Sequence, residues 1–206
     1  MHVVTLLSQK GGTGKTTIAL HLAVAAELDG KPTAVIDLDP QQSAALWGDT
    51  RASETPVVVS AQAARLPQVL DTAREHDAAF AVIDTAPHSE SAALAAARAA
   101  DFCLIPCRAA ILDLKAIGTS IDVARLAKTP FAVLLNAIPP RGTLSAEAAD
   151  VVRGYGVDLI PVCLVHRAAY VHALTAGQTA QEYEPKGKAA EEIRLTYLYI
   201  SKLLDK

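Results

Sequence analysis

Residues 6–20 of the chain read LLSQKGGTGKTTIAL, a glycine-rich turn between two apolar runs. The apolar run before the turn is typical of a buried strand, and the residues after it have the composition of a helix. In a strand–turn–helix unit of this kind, backbone N–H groups converge on one anion, and the helix N-terminus adds positive potential. We therefore predict a phosphate-binding loop, in which Lys15 contacts phosphate oxygens and the Thr16 hydroxyl binds Mg²⁺.

The rest of the chain alternates short Val, Ile and Leu runs with longer alanine-rich segments. We expect strands at 2–8, 33–37, 56–59, 80–84, 101–106, 131–136 and 158–163, and helices near 15–29, 62–76, 89–100, 111–127, 143–154 and 168–176. Continuous apolar runs are typical of strands that are buried on both faces. The alternation predicts a single α/β domain over residues 1–206, doubly wound, with a mostly parallel sheet flanked by helices.

Composition limits the binding partners and the cellular compartment that we expect for this protein. The 206 residues are 51% hydrophobic and carry a formal net charge of −3, so any nucleic-acid binding would need a local basic patch. No apolar stretch is long enough to span a membrane, and the first residues are too short for a secretion signal. Three cysteines without paired or ligand spacing fit reduced thiols, and we expect a cytoplasmic protein.

Polar residues follow the predicted strands at the edge where parallel sheets bind ligands. Asp37 and Asp39 stand two apart after the second strand, and alternation directs both to the same side. Asp84 ends the apolar run FAVID, a position where a carboxylate can hold a water of the Mg²⁺ shell. Asn136 ends FAVLLN, and its amide offers the paired donor and acceptor that a base edge needs.

Residues 10–17, KGGTGKTT, depart from the general phosphate-loop pattern, because Gln9 occupies the position of its first glycine. The segment resembles the deviant Walker A loop, KGGxGK[ST][ST], of the ParA/MinD family of P-loop ATPases. This resemblance implies that Lys10 crosses a dimer interface to contact the partner's nucleotide. It also implies catalytic roles for Lys10 and Lys15 and a nucleotide-binding loop made of Lys10, Gly11, Gly12, Thr13, Gly14, Lys15, Thr16 and Thr17.

The resemblance extends through DLDPQ, VIDTAP and the stretch from residue 166 to 193. It implies that Asp39 positions the attacking water, and that Asp37 and Asp84 support Mg²⁺ together with Thr16. It also puts adenine near Asn136. The guanine-specific N-K-x-D pattern is absent, which favours ATP over GTP.

The length and C-terminal region are similar to those of short, ParF-like plasmid partition ATPases. Such a protein would hydrolyse ATP with Mg²⁺ and form a homodimer on ATP binding. The dimer would bind DNA non-specifically, associate with the nucleoid, and be released by a centromere-binding or adaptor protein that stimulates hydrolysis. We assign the DNA contacts to Arg167, Lys186 and Lys188.

Other functions share much of this pattern. A relative that positions protein clusters or microcompartments would look almost identical. A MinD-like membrane cycler would end in a basic amphipathic helix, whereas here Ile193, Tyr197, Ile200 and Leu204 form a stripe that predicts core packing and no membrane partner. An iron–sulfur reductase would need a cysteine after Asp84, and dethiobiotin synthetase-like ligases would not need Lys10.

Overall fold

The computed structural model describes residues 1–206. Its six strands are β1 (His2–Leu6), β2 (Thr33–Asp37), β3 (Val57–Ser60), β4 (Phe80–Asp84), β5 (Phe102–Arg108) and β6 (Phe131–Asn136). Its α-helices are α1 (Lys15–Leu28), α2 (Ser43–Thr50), α3 (Leu66–Glu75), α4 (Glu90–Ala99), α5 (Ile111–Ala127), α6 (Leu144–Gly154), α7 (Ala168–Thr175), α8 (Ala180–Tyr183) and α9 (Lys188–Leu204). A short 3₁₀ turn, Ala63–Arg65, precedes α3.

The strands form one sheet in the order β3-β2-β4-β1-β5-β6, and every neighbouring pair is parallel. Parallel neighbours require crossovers, and helices supply them here. The register places both Leu6 and Asp37 beside Asp84 at the carboxyl ends of three adjacent strands. The predicted doubly wound fold is confirmed, and the residues after β1, β2 and β4 meet at one edge.

Successive residues of the central strands enter different hydrophobic clusters on the two faces of the sheet. Leu104 belongs to the cluster that α1, α7 and α9 cover, whereas the next residue, Ile105, packs with α4, α5 and α6. A third cluster lies under α3 and α4 on the same face as the second. Strands buried on both faces fix the register of the edge that carries the polar residues.

The C-terminal helix α9 packs against the core, as its apolar stripe predicts. Ile193, Tyr197 and Ile200 are at most 2% exposed, and Leu204 is partly buried against the same cluster. None of the helices is both long enough and apolar enough to cross a membrane.

The predicted strand at 158–163 is wrong, because the segment makes only one isolated bridge, between Leu159 and Val133 of β6. Ile160 N donates to Val133 O at 2.8 Å and Leu164 N donates to Leu135 O at 2.9 Å, with Pro161 between them. Proline lacks an N–H group and interrupts a ladder. Helices α2 and α8, which we did not predict, are short and follow segments rich in polar turn residues.

Candidate nucleotide-binding site

The glycine-rich loop between β1 and α1 has the backbone shape of an anion cradle. Gly14 immediately precedes α1 at φ 95°, and Gly12 has φ 75°. A side chain at Gly14 would also collide with the amide of Asn136. No side chain caps the N-terminus of α1, so its first N–H groups can turn toward a ligand.

Lys15 supplies a buried cation without an acceptor. The side chain is 7% exposed, and none of the eight ion pairs in the chain involves it. Burial lowers the pKa of its ammonium, while the charges of Asp84 and Asp39 oppose that shift. The charge of a mostly buried lysine is stabilised by an anion that enters the loop.

Thr16 and Asp84 form the pair that fits Mg²⁺. The Thr16 hydroxyl donates to Asp84 Oδ2 at 2.6 Å, and Oδ1 of the same carboxylate is buried without a partner. Burial raises the pKa of Asp84 to about 7, and the charges of Asp37 and Asp39 add to this shift, while Thr16 and Lys15 oppose it. A hydroxyl and an unsatisfied carboxylate oxygen beside a phosphate loop suit a hard cation whose other ligands are phosphate oxygens and waters.

Asp37 lies beside Asp84 at the end of β2, and its carboxylate accepts hydrogen bonds from three backbone N–H groups. Its side chain is completely buried, with Oδ1 accepting from Asp39 N at 3.0 Å. Oδ2 accepts from Ala44 N at 2.9 Å and from Ala45 N at 3.2 Å. These three bonds hold Asp37 to the turn after β2 and to the start of α2, and its support of Mg²⁺ stays a prediction.

Asp39 is half-buried beside the loop. Its Oδ1 accepts from Gln41 N at 2.9 Å, which shapes the turn before α2. Its charge reaches Lys15, where it raises the pKa of the ammonium against the effect of burial. The position is compatible with the water-orienting role implied by the resemblance, and that role stays a prediction.

Lys10 lies in an ion pair that we did not predict. Its ammonium binds the Asp113 carboxylate in the first turn of α5, and its side chain is 41% exposed while that of Asp113 is 7% exposed. The two residues are 103 positions apart, so no local sequence pattern links them. Contact of Lys10 with a partner's nucleotide remains a prediction and requires this pair to open.

Asn136 braces the loop from the end of β6. Its Nδ2 donates to the Thr13 carbonyl at 2.7 Å, which holds the amide against the phosphate loop. On the other side of the loop, Gln9 N donates to Ser120 Oγ and Gln9 O accepts from His88 N, both at 3.2 Å. The loop is therefore anchored to three parts of the chain, and the adenine contact of Asn136 stays a prediction.

The three basic residues that we predicted to contact DNA differ in whether an ion pair within the chain already neutralises their charge. Arg167 Nε and Nη2 both donate to Glu192 Oε1, at 3.0 Å and 2.6 Å, and this bond raises the pKa of the guanidinium. Its charge is thus neutralised within the chain, which we did not anticipate. Lys186 and Lys188 are exposed, and no ion pair involves either of them.

Known proteins are similar to this chain in sequence and in fold. Residues 4–177 match the CbiA family model, described as the CobQ/CobB/MinD/ParA nucleotide binding domain. The Maintenance of carboxysome distribution protein A of Gloeobacter kilaueensis is 32% identical, over 99% of this chain and 94% of its own. Protein ParA of Rhizobium radiobacter is 29% identical, over 82% of this chain and 81% of its own.

Among solved structures, the septum site-determining protein MinD of Pyrococcus horikoshii, complexed with Mg-ADP, has a TM-score of 0.76. It is 19% identical and covers 98% of this chain and 96% of its own, so the likeness concerns the fold. The family match includes the loop, Asp37, Asp39, Asp84 and Asn136 within its range. This chain belongs to the CobQ/CobB/MinD/ParA nucleotide-binding family.

Proposed function

We propose that this protein is an ATPase of the partition and positioning type, in which Mg-ATP drives two subunits into a nucleotide-sandwich dimer. The observation that carries the proposal is Lys15 at the mouth of the phosphate loop, a residue that is 7% exposed and makes no ion pair within the chain. The second loop lysine, Lys10, also supports the dimer. Its side chain is 41% exposed, and because Lys15 contacts the phosphates bound in the same loop, Lys10 can contact those of a second subunit once its ion pair with Asp113 opens.

Each group has a part in binding and hydrolysis. Backbone N–H groups of the loop and the ammonium of Lys15 hold the phosphates, while Thr16 and Asp84 hold the metal ion. Bound Mg²⁺ would neutralise charge on the phosphate oxygens. Asp39 orients the attacking water, and a partner protein stimulates this otherwise slow step. ATP hydrolysis would then return the dimer to monomers.

The dimer, in this proposal, binds DNA non-specifically through Lys186 and Lys188, whereas Arg167 contributes less because Glu192 neutralises it. Dimerisation doubles the number of phosphates contacted, so ATP acts as the switch. Gel shifts on two unrelated DNA sequences test this with ATP, ADP and no nucleotide. We expect binding only with ATP, and a Lys186→Ala, Lys188→Ala variant should weaken it equally on both sequences.

A matched control is Arg125→Ala, which removes an exposed cation from the far end of α5. It should leave DNA binding unchanged. Equal DNA affinity in all three nucleotide states, or none in any, would contradict the DNA-binding part of the proposal. The ATPase part would stand, because it is measured separately by phosphate release.

A second candidate function is the positioning of protein clusters or microcompartments. It is favoured by the 32% identity with a protein named for the maintenance of carboxysome distribution. Deleting the gene in its host discriminates the two. Loss of plasmid or chromosome inheritance supports DNA partition, whereas clustered protein bodies with normal DNA inheritance support the second candidate.

A further inference from the structure

The carboxylate of Asp37 connects two segments that lie on either side of a short turn. One oxygen accepts from the backbone N–H of Asp39, at 3.0 Å. The other accepts from the backbone N–H groups of Ala44 and Ala45, at 2.9 Å and 3.2 Å. A single side chain thereby ties the Asp39 backbone to the first turn of α2.

Helix α2 depends on this remote cap. The residue before the helix, Gln42, has φ 52° and its side chain makes no capping bond. A carboxylate that satisfies the first N–H groups of a helix and faces its positive end is a favourable cap. Asp37 therefore does for α2 what a neighbouring Ser or Asp does for most helices.

The other end of α2 is also fixed, which makes the helix a firm support. Trp47 Nε1 donates to Gln178 O at 3.4 Å. Arg51, just after the helix, donates to both carboxylate oxygens of Glu182, at 2.8 Å and 3.1 Å, with its side chain 3% exposed. A helix held at both ends can keep the turn that carries Asp39 in one place.

We propose that Asp37 is a positioning residue, which fixes Asp39 at the phosphate loop by binding its backbone and the start of α2. This inference rests on the proposed function, in which Asp39 orients water. Asp37 then contributes to hydrolysis through the position of Asp39, and not by binding the metal ion. The expected signature is a lower kcat at an unchanged requirement for Mg²⁺.

Steady-state ATP hydrolysis over a Mg²⁺ titration tests this in the full-length protein. In Asp37→Asn we expect kcat to fall by about 10- to 100-fold, since small displacements of a catalytic group have effects of that size. The half-saturating Mg²⁺ concentration should stay at the wild-type value, whereas Asp84→Asn should raise it by about 10-fold or more. A rise in Asp37→Asn like that in Asp84→Asn would overturn the inference.

A double variant separates positioning from general damage to the fold. If Asp37 acts through Asp39, adding Asp37→Asn to Asp39→Asn should not lower kcat further. A further loss equal to that of the single Asp37→Asn variant would contradict the inference. Asp101→Asn is the matched control, because it removes a carboxylate that accepts from Val3 N at 2.8 Å on the opposite edge of the sheet. It should leave kcat unchanged.

Amide hydrogen exchange provides a readout that does not need hydrolysis. The N–H groups of Asp39, Ala44 and Ala45 should exchange at least about tenfold faster in Asp37→Asn, while those of α5 remain unchanged. Asp37→Glu is measured in the same way if Asp37→Asn does not fold. Unchanged exchange in a folded variant would overturn the inference, whereas absence of hydrolysis in the wild type would contradict only the proposed function.

Discussion

The ammonium of Lys10, in the phosphate loop, is ion-paired with the carboxylate of Asp113 in the first turn of α5. The pair joins a half-exposed lysine to a buried aspartate at the edge of the sheet where the nucleotide would bind. Opening the pair would leave the buried Asp113 carboxylate without its counter-charge, which is unfavourable. A phosphate group of a second subunit's nucleotide must therefore compete with Asp113 for Lys10, and it can do so because charge-assisted bonds to phosphate are strong.

Replacing Lys15 by Ala should abolish ATP binding while the fold remains intact. The substitution removes the one buried cation at the mouth of the loop, and it also relieves the cost of burying it. Isothermal titration with Mg-ATP measures the effect, and far-ultraviolet circular dichroism checks the fold. Lys202→Ala, an exposed position on α9, is the control and should bind as the wild type does. Unchanged affinity in Lys15→Ala would contradict the assignment.

Asp39→Ala should separate binding from hydrolysis. The variant keeps Lys15, Thr16 and Asp84, so Mg-ATP should bind at close to the wild-type affinity. Loss of the water-orienting carboxylate should slow turnover by about 10²-fold or more. Single-turnover phosphate release gives the rate, and a filter assay gives the nucleotide retained. If phosphate release proceeds at the wild-type rate, another group activates the water.

His21 should make the free energy of unfolding depend on pH in a defined window. Its ring is fully buried, with Nδ1 2.7 Å from Thr17 O and Nε2 accepting from Ala180 N at 3.0 Å. Burial lowers its pKa to about 4, from 6.5. The unfolded chain therefore binds the proton first, so stability falls as the pH drops from 6.5 to 4, by about 3 kcal/mol in all.

The difference in the free energy of unfolding between the wild type and His21→Gln reports the titration of His21, because the other titrating groups are the same in both proteins. Urea unfolding gives the free energy of unfolding of both proteins at each pH. The amount by which the wild type is more stable than the variant at pH 7 should decrease between pH 6.5 and 4, and should stay constant below pH 4. His76→Gln, which changes an exposed histidine, is the control substitution. A wild-type advantage that is independent of pH would refute the buried neutral state of His21.

Much of the fold was predictable, because its strands are continuous apolar runs that end in polar residues. The bounds of β2, β4 and β6 agree with the prediction, and so does α5. The failure at 158–163 has a local cause, since Pro161 interrupts hydrogen bonding in a run that otherwise has strand composition. Apolar composition alone does not show whether such a run joins the hydrogen-bonded sheet.

The placement of Lys15, Thr16 and Asp84 at one edge of the sheet was predictable, because it follows from local spacing after the strands. The site was not predictable where a side chain binds a distant backbone group. The sequence did not show that the carboxylate of Asp37 caps a helix that begins six residues later. Asp113 gave no signal at all, because its partner Lys10 comes from a separate element.

The most direct test of the proposed dimer is the mass of the protein in solution, by light scattering coupled to gel filtration. The 21.6 kDa chain should be a monomer without nucleotide and with ADP, and should double its mass with Mg-ATP. Lys10→Ala should bind ATP yet remain a monomer, whereas Lys115→Ala, an exposed lysine on α5 without an ion pair, should dimerise like the wild type. A wild type that stays monomeric in Mg-ATP, or a Lys10→Ala variant that dimerises normally, would contradict the cross-subunit role of Lys10.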